Sequence, residues 1–142
     1  MKMSSSVNRY RMKAKNVHEP PAVKDDLGEM GESIAREHLM NSGYLILDTN
    51  WHWGHKEIDI VARTGNEIVV VEVKTRDENY TVEPWEAVNL SKIRNIVEVA
   101  DHWLRYNKID LETRFDIISI VVNRDKSHSL EHFEGAFIAP VN

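Results

Sequence analysis

Residues 68–74, I-V-V-V-E-V-K, constrain this chain more than any other stretch. Four consecutive β-branched residues ask for a buried strand. Glu72 and Lys74 then arrive at alternate positions. Side chains alternate across a strand, so Val71 and Val73 share one side while Glu72 and Lys74 share the other. Burying a charge costs about several kcal/mol unless it is paired or binds an ion. The end of this core strand must therefore open onto surroundings that accept a carboxylate and an ammonium side by side.

The segments around the run predict its partners. Asp25 or Asp26 can cap a helix running to Gly43, with Leu27, Met30, Ile34 and His38 at helical spacing and Gly31 and Ala35 flanking them. Y-L-I-L-D-T-N-W (44–51) reads as a first strand. A loop with Trp53 and Gly54 leads to E-I-D-I-V-A-R (57–63), which alternates as a second strand. A polar loop follows the third strand. A second helix comes next, with Pro84 in its first turn and a stripe of Ile93, Ile96, Val97, Ala100 and Leu104. R-F-D-I-I-S-I-V-V (114–122) is a buried fourth strand and E-H-F-E-G-A-F-I (131–138) an edge strand. The order α-β-β-β-α-β-β predicts an α/β sandwich around a mixed sheet, opened by an antiparallel meander.

The T-G-N-E turn (64–67) decides where the charges meet. Gly65-Asn66 suits a two-residue type II′ hairpin loop, and a four-residue loop would share its centre. Either one pairs Arg63 with Ile68, Val61 with Val70, Asp59 with Glu72 and Glu57 with Lys74. Two carboxylates opposed across a sheet repel. That geometry makes sense with a cation between them. Mg²⁺ or Mn²⁺ takes hard oxygen ligands, with waters and substrate phosphate completing the shell. Lys74 would then face the same spot. The plainer alternative is a salt-bridge cluster on a half-solvated sheet, worth little energetically.

Composition bounds the rest. A chain of 142 residues, 42% hydrophobic, has the prior of one domain, and the absence of cysteine excludes disulfides and thiolate chemistry. There is no run of 18 apolar residues and no apolar segment behind the N-terminal basic residues, so a soluble cytoplasmic protein without a membrane span is expected. The net charge of −5 hides an asymmetry: Lys2, Arg9, Arg11, Lys13 and Lys15 stand among residues 1–18 without an acid. Residues 1–25 therefore read as a disordered basic arm and linker, and 26–142 as the folded domain. Such an arm is either simply solvated or a phosphate contact. His52 and His55 lack a third ligand for zinc. Among the tryptophans, Trp53 alone stands in a loop where it could stack on a base.

An ordered series of blocks carries a resemblance. L-G-E-M-G-E-S-I-A, N-W, E-I-D-I-V, V-E-V-K-T-R, A-V-N-L-S-K, R-F-D-I-I and G-A-F, over residues 27–138, resemble the YraN-like family of predicted endonucleases. That family lies within the PD-(D/E)xK nuclease superfamily, related to archaeal Holliday junction resolvases. The resemblance implies a nuclease-like core whose mixed sheet is flanked by helices. It makes Asp59 and Glu72 metal-binding carboxylates, adds the Val73 carbonyl as a ligand, and makes Lys74 the catalytic lysine. Glu32 matches the opening-helix glutamate, catalytic in role; on the helix it shares a row with Ala35 and Leu39. Lys92 matches a family lysine near the second helix's start, where phosphate would suit it or where it is simply solvated. Asp116 belongs to the signature without a derivable role beyond pairing with Arg114. One departure is Lys56, where the family usually has glycine.

The implied function is a Mg²⁺- or Mn²⁺-dependent endonuclease acting on structured or branched DNA and leaving a 5′-phosphate, as a homodimer by analogy with the resolvases. The competing class is a non-catalytic nucleic-acid-binding or assembly module on the same fold.

Overall fold

The I-V-V-V run becomes the middle of β3 (Glu67–Asp77), the central strand of a five-stranded sheet in this computed structural model, which describes residues 26–79 and 89–139. β2 (Lys56–Thr64) pairs antiparallel on one side of β3, and β4 (Glu112–Val122) pairs parallel on the other. β1 (Leu45–Trp53) and β5 (His128–Phe137) form the antiparallel edges. The parallel β3–β4 step needs a crossover. That crossover contains α2 (Leu90–Tyr106), while α1 (Asp26–Asn41) precedes β1. The architecture is the expected mixed α/β sheet in the order α-β-β-β-α-β-β.

The helices cover opposite faces. Ala35 and Leu39 of α1 pack on Ile60, Ala62, Val69, Val71, Ile118 and Ile120. Ile96, Val99, Ala100 and Trp103 of α2 pack on Trp51, Ile58, Val61, Ile68, Val70 and Phe115. Burial from both sides explains why Ile68 to Val71 read as an unbroken apolar run, none of them more than 2% exposed.

Both helices present a face rotated from the expected stripe. The buried line of α1 is Gly31, Ala35 and Leu39, with Leu27, Met30 and Ile34 only partly buried against it. Small residues form the contact because the helix lies close on the sheet: a Cβ at Gly31 would stand 1.7 Å from Thr75 Oγ1. In α2, Val99 and Trp103 are buried, and Val97 and Leu104 lie at the margin. Trp103 joins the core because its indole N–H is satisfied there by Asp48, at 3.2 Å.

The ends of the elements follow local chemistry. Gly43 (φ +90°) ends α1 in a Schellman arrangement, with Tyr44 N–H donating to the Leu39 carbonyl. α2 begins at Leu90, capped by Asn89, whose side chain accepts the Lys92 N–H. Pro84, Trp85 and the basic arm lie outside the described residues. The strand ends shift by a few residues from the expected ones. The largest change is that β1 and β2 close on the two-residue turn Gly54-His55, so Trp53 ends a strand instead of standing in a loop. No helix among the described residues is long and apolar enough to cross a membrane.

Candidate metal centre

The site begins where a ladder stops. From the Gly65-Asn66 turn, pairing of β2 with β3 runs in the expected register through Arg63–Ile68 and Val61–Val70 to Ile60–Val71, and ends there. The next rung would oppose Asp59 and Glu72. Instead the strands part, and Asp59 Oδ2 accepts the N–H of Val73 at 2.9 Å. The expected Asp59–Glu72 and Glu57–Lys74 pairs are therefore not ladder pairs. Like charges opposed across a sheet repel, and the pairing gives way at that rung.

Alternation fails at the same level. Ile60 packs in the α1-side core, yet Ile58, two residues earlier, packs in the α2-side core. Asn50, bracketed by the pairs Thr49–Ile60 and Trp51–Ile58, has a left-handed φ of +49°. Such a backbone suits asparagine better than most residues. The β1–β2 hairpin is wrung at this point, which brings Asp59 between the layer carrying Glu32 and the layer carrying Lys92.

Each layer brings its own side chains. On the α1 side, the close seat of Gly31 on Thr75 holds the helix against β3, and the next residue, Glu32, reaches Asn50 of β1. Carboxylate oxygens of Glu32, Glu57 and Asp59 all lie within 4.8 Å of one another, a spacing one cation could bridge. Asn50 Nδ2 donates to Glu32 at 2.9 Å and to Glu57 at 3.1 Å, holding the two together. His52 Nε2 stands 2.7 Å from the other Glu57 oxygen. On the α2 side, the buried Glu72 carboxylate lies 3.2 Å from Lys74 Nζ and 3.3 Å from Lys92 Nζ.

The electrostatics separate Asp59 from its neighbours. Burial, then the nearby Glu72 carboxylate, push its carboxyl well above the usual range; Glu32 and Glu57 add to this, and the Val73 N–H only partly opposes it. An acid in that position is short of positive partners.

Sequence reasoning placed Glu32, Asp59, Glu72, Lys74 and Lys92 around one locality, and the structure brings them there from both layers. It missed Asn50, weighed His52 only as a zinc ligand, and read Glu57 as a partner for Lys74. The missed signal was the parity of Glu57 and Asp59, two residues apart on a strand beside an asparagine. Lys56, standing where the resemblance expects glycine, ends in an ion pair with Glu98 at 2.9 Å and ties the hairpin to α2. His55 is exposed, and Trp53 stacks on His102 with ring centroids 4.0 Å apart.

Asp116 answers to a different chemistry. It is fully buried, at a break in the β4–β5 register, and accepts Arg114 through both oxygens at 2.9 and 2.8 Å. It also accepts the Gly135 N–H at 2.9 Å and meets His132 Nε2 at 2.7 Å. Burial alone would raise its carboxyl. The bonds from His132, Arg114 and Gly135 outweigh that and hold it below the usual value. His132 Nδ1 in turn meets His38 Nε2 at 3.1 Å, linking β5 to α1. The expected Arg114–Asp116 pair is the centre of this network.

Comparison with known proteins gives one family. The model of the family described as "Uncharacterised protein family UPF0102" matches residues 31–120. A UPF0102 protein of Parabacteroides distasonis is 47% identical over 119 residues, covering 84% of this chain and 98% of the relative. One from Porphyromonas gingivalis is 50% identical over 117 residues, covering 82% and 87%. One from Bacteroides thetaiotaomicron is 42% identical over 120 residues, covering 84% and 98%.

Proposed function

The chain belongs to the UPF0102 family, and from that premise we propose that it is a divalent-metal-dependent phosphodiesterase acting on nucleic acid, with structured or branched DNA as its substrate class. The observation that carries the reading is the crowding of carboxylates around Asp59. Oxygens of Glu32, Glu57 and Asp59 lie within 4.8 Å of one another, while the Lys74 and Lys92 ammoniums stand at Glu72. A fold that only had to be stable would gain by removing such repulsion.

The residues fit a hard cation. The donors are carboxylate oxygens, and the chain has no cysteine, which favours Mg²⁺ or Mn²⁺ over softer ions. Asp59, Glu32 and Glu57 offer the oxygens that lie together, and Glu72 and the carbonyl of Val73 would complete the set that the resemblance implies. A divalent ion held there would supply Lewis-acid chemistry, polarising a phosphate oxygen and lowering the pKa of water. The remaining work falls to the chain. Lys74 offers an ammonium to charge developing on phosphoryl oxygens, Lys92 offers one to a neighbouring phosphate, and Asn50 fixes the two glutamates that flank Asp59.

The test is cleavage of a panel of single-stranded, duplex, flap and four-way-junction DNA in Mg²⁺ and in Mn²⁺. At least one structured DNA should be cut, and Lys74→Ala should cut it about 100-fold more slowly while still taking up Mn²⁺. Binding without cleavage under either metal would replace this reading with that of a non-catalytic binding module. Equal Mn²⁺ uptake by wild type and Asp59→Asn would remove the metal centre.

A further inference from the structure

One oxygen of Glu72 has two ammonium partners. Lys74 Nζ and Lys92 Nζ stand 3.2 and 3.3 Å from Oε2, and the Glu72 side chain is 5% exposed. Lys74 lies two residues along the same strand, so its nearness follows from the backbone. Lys92 comes from the third residue of α2, across the layer, where the Asn89 cap fixes the start of the helix. Its side chain is also the more exposed of the two, 43% against 23%. Lys92 thus has the more open path to solvent.

Both ammoniums crowd the one oxygen, within 3.3 Å of Oε2. A cation approaching that oxygen must displace one of them, and a cation approaching the other oxygen still meets two positive charges on the same carboxylate. Lys92 is held to the strand by this ion pair and not by the strand's own backbone, and it has the freer route outward, so it is the one that yields.

We propose that Lys92 is a displaceable counter-ion: it neutralises Glu72 in the metal-free protein, and cation binding releases its ammonium to take a nucleic-acid phosphate. This deepens the reading above and rests on it, because Glu72 must hold the cation. Metal and nucleic acid would then bind with positive coupling through one side chain, by reciprocal linkage. The consequence is a pair of opposite effects from one substitution.

The experiment uses the full chain and Mn²⁺ alone, by isothermal titration. Lys92→Met should bind Mn²⁺ roughly fivefold more tightly than wild type, and Lys92→Arg should match wild type. Lys56→Met, which removes an equal charge that is paired with Glu98 instead of Glu72, should change Mn²⁺ affinity by less than about twofold. Anisotropy with four-way-junction DNA completes the test. In EDTA, Lys92→Met should change DNA affinity by less than about twofold, since the ammonium is already engaged. In Ca²⁺ it should weaken DNA binding about fivefold.

Equal Mn²⁺ affinity in wild type and Lys92→Met overturns the displacement while leaving the metal centre standing. The same tightening in Lys56→Met also overturns it, because the effect would then be general charge. No Mn²⁺ uptake by any of these proteins overturns both this inference and the reading it rests on.

Discussion

Asp59 and Asp116 are aspartates of one sheet held in opposite states. Asp116, at the β4–β5 bulge, is saturated: a two-pronged Arg114, the His132 ring and a main-chain N–H all face it. Asp59, where β2 leaves β3, has one main-chain N–H and three carboxylates for company. Burial pushes both carboxyls up. Only at Asp116 do the partners reverse the direction. The fold therefore has the means to satisfy an interior carboxylate and uses them at one place but not the other. Difference in treatment, more than burial itself, distinguishes a structural acid from a candidate functional one.

The largest effect should come from breaking the satisfied side of the comparison. Asp116→Ala leaves Arg114 its bonds to Tyr44 and Glu67 but removes its two-pronged partner, and it strands the Gly135 N–H at the bulge. Removing one member of a buried pair costs about 3 kcal/mol. Urea unfolding at pH 7 should show a loss of that size, and less than about 1 kcal/mol would mean that the network is ornamental. The depressed carboxyl sets the pH sign. Its stabilisation is present above the ordinary value of 3.8 and is lost as pH falls below it, so the mutant's acid limb should be flatter than wild type's.

Asp59→Asn should move in the opposite direction. The amide oxygen can keep the Val73 N–H, while the charge facing Glu72, Glu32 and Glu57 disappears. In EDTA at neutral pH the variant should gain about 1 kcal/mol, as changes that relieve a functional compromise often do. The sign again follows from linkage. A raised carboxyl contributes stability at pH values below its ordinary 3.8, and that contribution is lost as pH rises through its folded value. The advantage of Asp59→Asn should therefore fade as pH falls and wild type takes up the proton. A variant less stable than wild type at pH 7 would show that Asp59 is a structural acid after all.

How much of this contrast could be read from the chain depends on range. The central strand, the Gly65-Asn66 turn and the register through Ile60–Val71 follow from alternation and turn chemistry, which act over a few residues. The helix faces were harder. Leu27, Met30 and Ile34 form the more obvious apolar stripe, but the contact falls on Gly31 and Ala35, because how closely a helix can approach is decided by the partner surface at Thr75. Asn50 was beyond reach for a similar reason. Its left-handed backbone matters only once β1 and β2 are paired and twisted together. The Asp116–His132–His38 chain joins residues far apart in sequence, and no local pattern announces it.

The smallest effect tests whether the two regions are independent. α1 carries Glu32 to one and His38 to the other. Burial, then the neighbouring His132, lowers His38 from its ordinary 6.5, so its contribution to stability is present above that value and is lost as pH falls through the folded one. His38→Gln keeps a group able to donate to His132 but cannot take up a proton, so the stability profile below pH 6.5 should lose a shallow slope. The ring is only half-buried, and solvent screening keeps the change to about a few tenths of a kcal/mol. Mn²⁺ affinity should stay within about twofold of wild type, because sites without shared partners add. If His38→Gln shifted Mn²⁺ binding further, α1 would be transmitting strain between the ends of the sheet. The contrast between Asp59 and Asp116 would then describe one coupled system, and the freedom of the metal centre to remain unsatisfied would depend on the network that satisfies Asp116.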